Sequence, residues 1–278
     1  MDINEKRLDN LIALALEEDL PAGDITTEAI VPASLEASAV FLAKEEGVLA
    51  GLEIAFRVLT AVDKEVKLAG ARQDGYQFSP GDILAQISGR ASSILKAERT
   101  ALNFLQRLSG IATLTRAFVE EVRGTKAVIL DTRKTTPGWR ELEKYAVRTG
   151  GGKNHRLSLS DMMLIKDNHI RIAGGITPAL KKAKEKARPG LKIEIEATNL
   201  QEVKEALQGG ADFIMLDNME LEEIRQAVEL VSGRVPLEVS GKVNLKTVRA
   251  IALTGVDFIS VGALTHSFRS ADISLEFT

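Results

Sequence analysis

From about residue 125 onward the chain alternates short apolar, β-branched runs with helical segments, and this regularity limits the possible fold more than any other feature. Strands are expected at 127–132, 162–166, 191–197, 212–217, 235–239 and 257–261, with helices at 139–149, 177–187, 199–208, 220–231 and 244–253 between them. Strand–helix units recurring every roughly 20 to 30 residues specify a parallel sheet covered by helices. Six strands suit an incomplete barrel as well as a full one of about eight. The fold class is therefore α/β, taken forward as an incomplete parallel α/β barrel with an N-terminal α+β sandwich domain.

The sandwich is read from the first part of the chain. Leu8, Leu11, Ile12, Leu14 and Leu16 recur among charged residues, which predicts an amphipathic helix over Ile3–Leu20, ended by Pro21 and Gly23. Asp24–Ile25–Thr26–Thr27 reads as a capping turn, with a subunit contact as the other use of such residues. Strands at 38–43, 47–50, 66–71 and 83–87 and a helix at 52–60 lack strict alternation, hence α+β. Residues 91–122 are helical, with a break expected at Ser109–Gly110. The expected domains are 1–110, including the linking helix, 111–267 as the barrel, and 268–278 as a tail packing back on the first domain.

Composition narrows the function. At 278 residues and 45% hydrophobic, the chain can bury a large core. A net charge of −3 argues against general nucleic-acid or membrane affinity, so any basic cluster serves a local, small anion. The absence of cysteine excludes thiolate metal sites and cysteine nucleophiles. Apolar runs are too short to span a bilayer and the acidic start lacks a signal-peptide pattern, so a cytoplasmic location is expected.

Such a basic cluster exists between Asp131 and His169. The run Ala127–Leu130 leads into Asp131, Thr132, Arg133 and Lys134, which places two cations at a strand's C-terminal end, where barrel enzymes keep their chemistry. Gly150–Gly151–Gly152 is expected to end a helix and leave N–H groups facing an anion, with Lys153, His155 and Arg156 beyond it. Lys166 ends the next strand. Guanidinium forks plus compact ammonium groups suit a substrate with several anionic groups.

The later strands end in Glu196, Asp217, Ser240–Gly241–Lys242 and Val261–Gly262–Ala263. The last two loops are candidates for phosphate on backbone N–H groups. Glu194 and Glu196 lie two apart and so face the same side of their strand. Inward carboxylates must be paired, bind a metal or meet ligand hydroxyls. For Glu196 the alternatives are ribose hydroxyls or a Mg²⁺-bound water, shared with Asp217, and an internal salt bridge to Lys166. Trp139 is read as packing the helix start, with stacking on substrate as the other use.

Taken together, the segments 15–27 (ALEEDLPAGDITT), 98–103 (ERTALN), the Asp131–His169 block, Glu194–Ile195–Glu196, Leu216–Asp217–Asn218 and Val239–Ser240–Gly241 resemble quinolinate phosphoribosyltransferase over essentially the whole chain. That resemblance implies reaction of quinolinate with phosphoribosyl pyrophosphate to give nicotinate mononucleotide, pyrophosphate and carbon dioxide, in NAD biosynthesis. It implies a homodimer in which Arg99 reaches the neighbouring subunit's quinolinate, with further assembly open. By the same resemblance Arg133, His155, Arg156 and Lys166 line the dicarboxylate pocket, and Thr132 is a further expected substrate-binding residue. Lys134, Glu196, Asp217, Ser240, Gly241, Gly262 and Ala263 surround the phosphoribosyl group, and Lys242 and Val261 in the same loops are expected to bind substrate. Lys134, Lys166, Glu196 and Asp217 are the expected catalytic residues. Mg²⁺ is expected on the pyrophosphate, near Glu196 and Asp217, with no fixed protein cage. The rival readings are a relative acting on another acid, a non-catalytic phosphate-binding regulator, and a Schiff-base aldolase with Lys166 as nucleophile.

Overall fold

The computed structural model describes residues 3–278. The chain runs through α1 (Glu5–Asp19), α2 (Ile25–Ile30), β1 (Glu36–Ala43), β2 (Gly47–Val48), α3 (Leu52–Val62), β3 (Lys67–Ala69), β4 (Gln77–Phe78), β5 (Ile83–Arg90) and α4 (Ala91–Glu121). It continues with β6 (Val128–Leu130), α5 (Arg140–Thr149), β7 (Met163–Ile165), α6 (Asp167–Ala173), α7 (Ile176–Lys186), β8 (Ile193–Ala197) and α8 (Leu200–Gln208). Last come β9 (Phe213–Asp217), α9 (Leu221–Val231), β10 (Leu237–Ser240), α10 (Val248–Ala252), β11 (Phe258–Ser260), α11 (Ala263–His266) and β12 (Ile273–Phe277). Two compact units result: the chain up to Arg116 with Thr136–Gly151 and Phe268–Thr278, and Ala117–Thr135 with Gly152–Ser267.

The first unit holds an antiparallel sheet in the order β12-β1-β5-β3. Its inward residues, among them Phe41, Leu84 and Ile87, join Ile54, Leu59, Ile94, Phe104 and Leu105 from the helices in a fully buried core. Burying such side chains stabilises the fold by roughly 1.5–3 kcal/mol each. The amphipathic N-terminal helix exists but is narrower than its leucines suggest, burying Leu8 and Ile12 and leaving Leu14 exposed. Asp24 caps α2, accepting from the Thr26 and Thr27 N–H groups.

The break expected at Ser109–Gly110 is absent, and α4 runs unbroken from Ala91 to Glu121. Glycine serves close approach here: a Cβ on Gly110 would lie 2.1 Å from the Arg269 carbonyl oxygen. A glycine inside a helix costs about 0.5–1 kcal/mol, less than such a clash would.

The second unit holds six parallel strands in the order β6-β11-β10-β9-β8-β7, all pairs in parallel register, with α7 and α8 packed on it. No ladder joins β6 to β7, so the sheet is an incomplete barrel. Ile193 and Ile195 alternate with Glu194 and Glu196 along β8, all four buried, so the acids share one side of the strand.

Candidate active site

The C-terminal ends of the six parallel strands border a cavity of about 800 Å³ in the second unit. Thr132, Arg133 and Lys134 follow β6, Lys166 and Asp167 follow β7, and Glu196, Asp217 and Ser240 end β8, β9 and β10. Gly241, Lys242, Gly262 and Ala263 complete that rim, and His155 and Arg156 come from the segment after the glycines. Two expected residues are not on this wall. Val261 is buried, its N–H bonded to the Leu130 carbonyl, because it continues the strand rather than the loop. Arg99 is an exposed residue of α4 in the first unit.

Asp131 organises the cationic corner. It is fully buried and accepts from the His155 N–H at 2.9 Å and the Asn154 side-chain amide at 2.5 Å. Lys153 meanwhile pairs with Leu130 as an isolated parallel bridge, so the segment after the glycines is drawn along β6 and His155 and Arg156 are delivered to the cavity. The Gly150 and Gly151 N–H groups do not form the expected anion cradle. The Gly150 N–H bonds to Ala146 O and the Gly151 N–H to Arg148 O, because both close the end of α5. Trp139 packs: it stacks on Phe104 at 4.6 Å.

Arg133 and Arg156 each bury an Nε–H that meets no acceptor among the described residues. Arg156 donates from Nη1 to the Met162 carbonyl at 2.9 Å, which is a neutral partner. Burial first, and then the Arg133 charge, push its pKa below the usual guanidinium value. Two partly desolvated cations with unfilled donors form a strong seat for carboxylate.

Lys166 pairs with Glu196, Nζ to Oε1 at 2.6 Å, and the other Glu196 oxygen accepts the Asp167 N–H at 3.1 Å. The salt bridge weighed from the sequence is thus present. An ammonium held by a carboxylate is poorly set up as an amine nucleophile, which speaks against the aldolase reading. His169 has a local job, accepting the Lys166 N–H and capping α6.

On the opposite rim the backbone takes up left-handed conformations. Asn218, Gly241 and Lys242 have φ of 54°, 98° and 53°, and a Cβ on Gly241 would lie 2.3 Å from Asn218 Oδ1. Non-glycine residues in this region are strained, and such strain is retained where a loop must present its N–H groups in a fixed way. Asp217 accepts from Asn218 Nδ2 at 2.9 Å through Oδ2.

Sequence reasoning did not assign Glu238, Ser260, Asn218, Met215, Leu164 or His266, all of which face the cavity. Glu238 carried a readable signal: an acid between Leu237 and Val239 in an apolar strand, the same pattern that marked Glu194. His266 carried none, since α11 has only four residues and no periodicity.

Comparison with known proteins gives a consistent result. Residues 24–109 match the family model of the quinolinate phosphoribosyl transferase N-terminal domain, and residues 111–276 match that of its C-terminal domain. A chloroplastic nicotinate-nucleotide pyrophosphorylase [carboxylating] from Oryza sativa subsp. japonica is 45% identical over 287 residues, covering 96% of this chain and 76% of the relative. A probable enzyme of the same name from Bacillus subtilis (strain 168) is 41% identical over 276 residues, covering 99% and 95%. The crystal structure of NadC from Streptococcus pyogenes superposes with a TM-score of 0.96 at 42% identity, covering 100% of this chain and 99% of that one.

Proposed function

The chain belongs to the quinolinate phosphoribosyltransferase family, and from that premise we propose how its residues divide the reaction. The enzyme transfers the phosphoribosyl group of phosphoribosyl pyrophosphate to the nitrogen of quinolinate, releasing pyrophosphate and carbon dioxide and leaving nicotinate mononucleotide for NAD biosynthesis. It is a decarboxylating pentosyltransferase.

The carrying observation is the pair of buried Nε–H groups on Arg133 and Arg156 that lack acceptors. Quinolinate brings two carboxylates to that corner, where Arg133, Arg156 and Lys166 hold them. The phosphoribosyl half lies toward Lys134, Glu196 and Asp217, its phosphate groups on Ser240, Gly241, Lys242, Gly262 and Ala263, with Thr132 at the junction. As the bond from C1′ to pyrophosphate breaks, positive charge grows on the ribose, and Glu196 and Asp217 stabilise it. Lys134 and Lys166 offset charge on the departing and entering groups. Ribosylation makes the pyridine ring cationic, so the electron pair left at C2 by carbon dioxide is stabilised until a proton takes its place.

Bound Mg²⁺ would be carried by the pyrophosphate of phosphoribosyl pyrophosphate and would offset its charge, with Glu196 and Asp217 as the nearby carboxylates and no protein cage. A carboxylate such as Asp217, with one oxygen engaged by Asn218, suits a water-mediated role there. The working form is a homodimer in which Arg99 is contributed to the partner's dicarboxylate corner, consistent with its exposure on α4. The proposed place of action is the cytoplasm. Among the described residues no helix is long and apolar enough to cross a membrane.

The test is turnover of quinolinate, phosphoribosyl pyrophosphate and Mg²⁺ by the purified enzyme, with nicotinate as a parallel acceptor. Equal amounts of nicotinate mononucleotide and carbon dioxide from quinolinate, and little product from nicotinate, are expected. Comparable turnover of nicotinate would overturn the dicarboxylate assignment.

A further inference from the structure

Beneath the arginine corner lies a polar chain to which the reaction assigns no step. Glu194 and Glu238 are 1% and 2% exposed, and neither forms an ion pair with a lysine or arginine among the described residues. His155 Nε2 lies 3.0 Å from Glu194 Oε2 and 3.5 Å from Glu238 Oε2. Ser260 donates to Glu238 Oε1 at 2.5 Å, and one oxygen of each carboxyl group lies within 4.8 Å of the other and of a His155 ring nitrogen. Burial lifts both above the usual carboxylate range, and for Glu238 the neighbouring Glu194 adds to the effect.

Donor and acceptor rules assign the protons. The backbone N–H of Arg156 lies 2.7 Å from His155 Nδ1 and can only donate, so Nδ1 carries no proton. The ring is then neutral with its hydrogen on Nε2, and that hydrogen goes to Glu194. Two buried carboxyl groups this close, with no lysine or arginine paired to either among the described residues, share one proton between them. Glu238, already accepting from Ser260, has the hydroxyl to give. Glu194 Oε1 meets no partner among the described residues, so Oε2 takes the His155 hydrogen and is the oxygen left for a Glu238 hydroxyl.

We propose that Glu194 and Glu238 are positioning residues that hold His155 as its Nε2–H tautomer, so that His155 serves the dicarboxylate pocket as a strut under the Arg156 backbone. The single charge kept on Glu194 also supports the Arg156 cation from behind, an attraction that opposes the effect of its burial. A pair ionised twice would instead weaken the pocket's hold on a dianion.

This inference rests on the quinolinate assignment, and its test separates the two. The full-length enzyme is compared with Glu238→Gln, Glu238→Ala, Glu194→Gln and Ser260→Ala by quinolinate KM, phosphoribosyl pyrophosphate KM and kcat. Imidazole ¹⁵N resonances of the histidine-labelled wild type and Glu238→Gln are recorded near pH 7; the chain has only three histidines. Gln at 238 supplies both the N–H toward Glu194 and the carbonyl toward Ser260, so its quinolinate KM should stay within about threefold of wild type. Glu238→Ala and Glu194→Gln should raise it about tenfold or more, with phosphoribosyl pyrophosphate KM within about twofold. Gln at 194 fails because keeping a carbonyl oxygen at the Oε2 position turns its NH₂ to a place with no acceptor. Ser260→Ala should fall between the two groups. His155 should give an unprotonated Nδ1 and a protonated Nε2 in both labelled samples.

Equal damage from both glutamine variants, or a His155 imidazolium or Nδ1–H tautomer, would overturn the inference. The spectra decide it even where Glu238→Ala or Glu194→Gln does not fold. Failure of the quinolinate assignment would appear separately, as a wild type that does not turn quinolinate over.

Discussion

Arg107 in the first unit and Arg156 in the second both bury an Nε–H without an acceptor, yet they do opposite jobs. The Arg107 charge is matched by its surroundings: its Nη2 meets Glu143 and Thr136 at 2.5 Å each, and its guanidinium lies over the rings of Trp139 at 5.1 Å and Phe268 at 4.8 Å. Arg156 has a backbone carbonyl and a second arginine as company, with no carboxylate in salt-bridge contact among the described residues. In the first unit charge is matched within the chain, as Arg57 with Asp9 and Arg90 with Asp63 also illustrate. At the arginine corner of the parallel-strand ends it is left open, although Lys166 beside it is paired with Glu196. Cations kept unmatched inside a cavity cost stability in the free enzyme, and a dianionic ligand offsets that cost.

The largest effect should come from removing open charge. Arg156→Ala should lower kcat/KM for quinolinate by about 10² to 10³, the range for losing one partner of a desolvated charge pair, while thermal stability holds or rises. Loss of stability with activity retained would erase the contrast between the two arginines.

Removing matched charge should do the reverse. Glu143→Ala leaves the Arg107 cation without its carboxylate and should destabilise the enzyme by about 3–5 kcal/mol in denaturant melts. Quinolinate KM should remain within about threefold in the fraction that folds.

Gly110→Ala sharpens the comparison through packing alone. Its methyl would meet the Arg269 carbonyl and the Ser270 Cα, so a loss of about 1–3 kcal/mol is expected even though alanine is the better helix former. An increase in stability would mean that the segment around Arg269 yields.

The smallest effect concerns pH. The Asp63 carboxyl is held down to about 2 from an ordinary 3.8, first by the hydrogen bond from Arg90 and then by that from Ser93. Its folded value lies below its unfolded one, so its contribution is full above the unfolded value and is lost as pH falls from about 4 toward 2. Asp63→Asn should flatten that part of the stability curve, which denaturant titrations between pH 2 and 5 would reveal.

How far the sequence could be read follows from which signals are local. Strand–helix alternation is local, so the parallel sheet and the residues at its ends were legible, and Arg133, Lys166, Glu196 and Asp217 were reached by counting to the ends of apolar runs. Glu194 on β8 and Glu238 on β10 approach each other across the intervening strand β9, a pairing that no local pattern encodes. Gly110 and Gly150 misled for the same reason. A glycine normally marks a break or an open N–H, and only the residues packed against it reveal that it was there for close approach: the Arg269 carbonyl for Gly110, the Ala112 carbonyl and Thr115 for Gly150. The short helix α2 and the strand β12 were too brief for periodicity to register.

Titration calorimetry of the enzyme with quinolinate and then with nicotinate, at one pH and salt concentration, addresses the open charges most directly. Quinolinate should bind about 30-fold or more tightly, because only its second carboxylate fills the donors of both arginines. Equal affinities would mean that the unmatched cations serve some other group, and the account of this pocket as a dianion seat would be wrong.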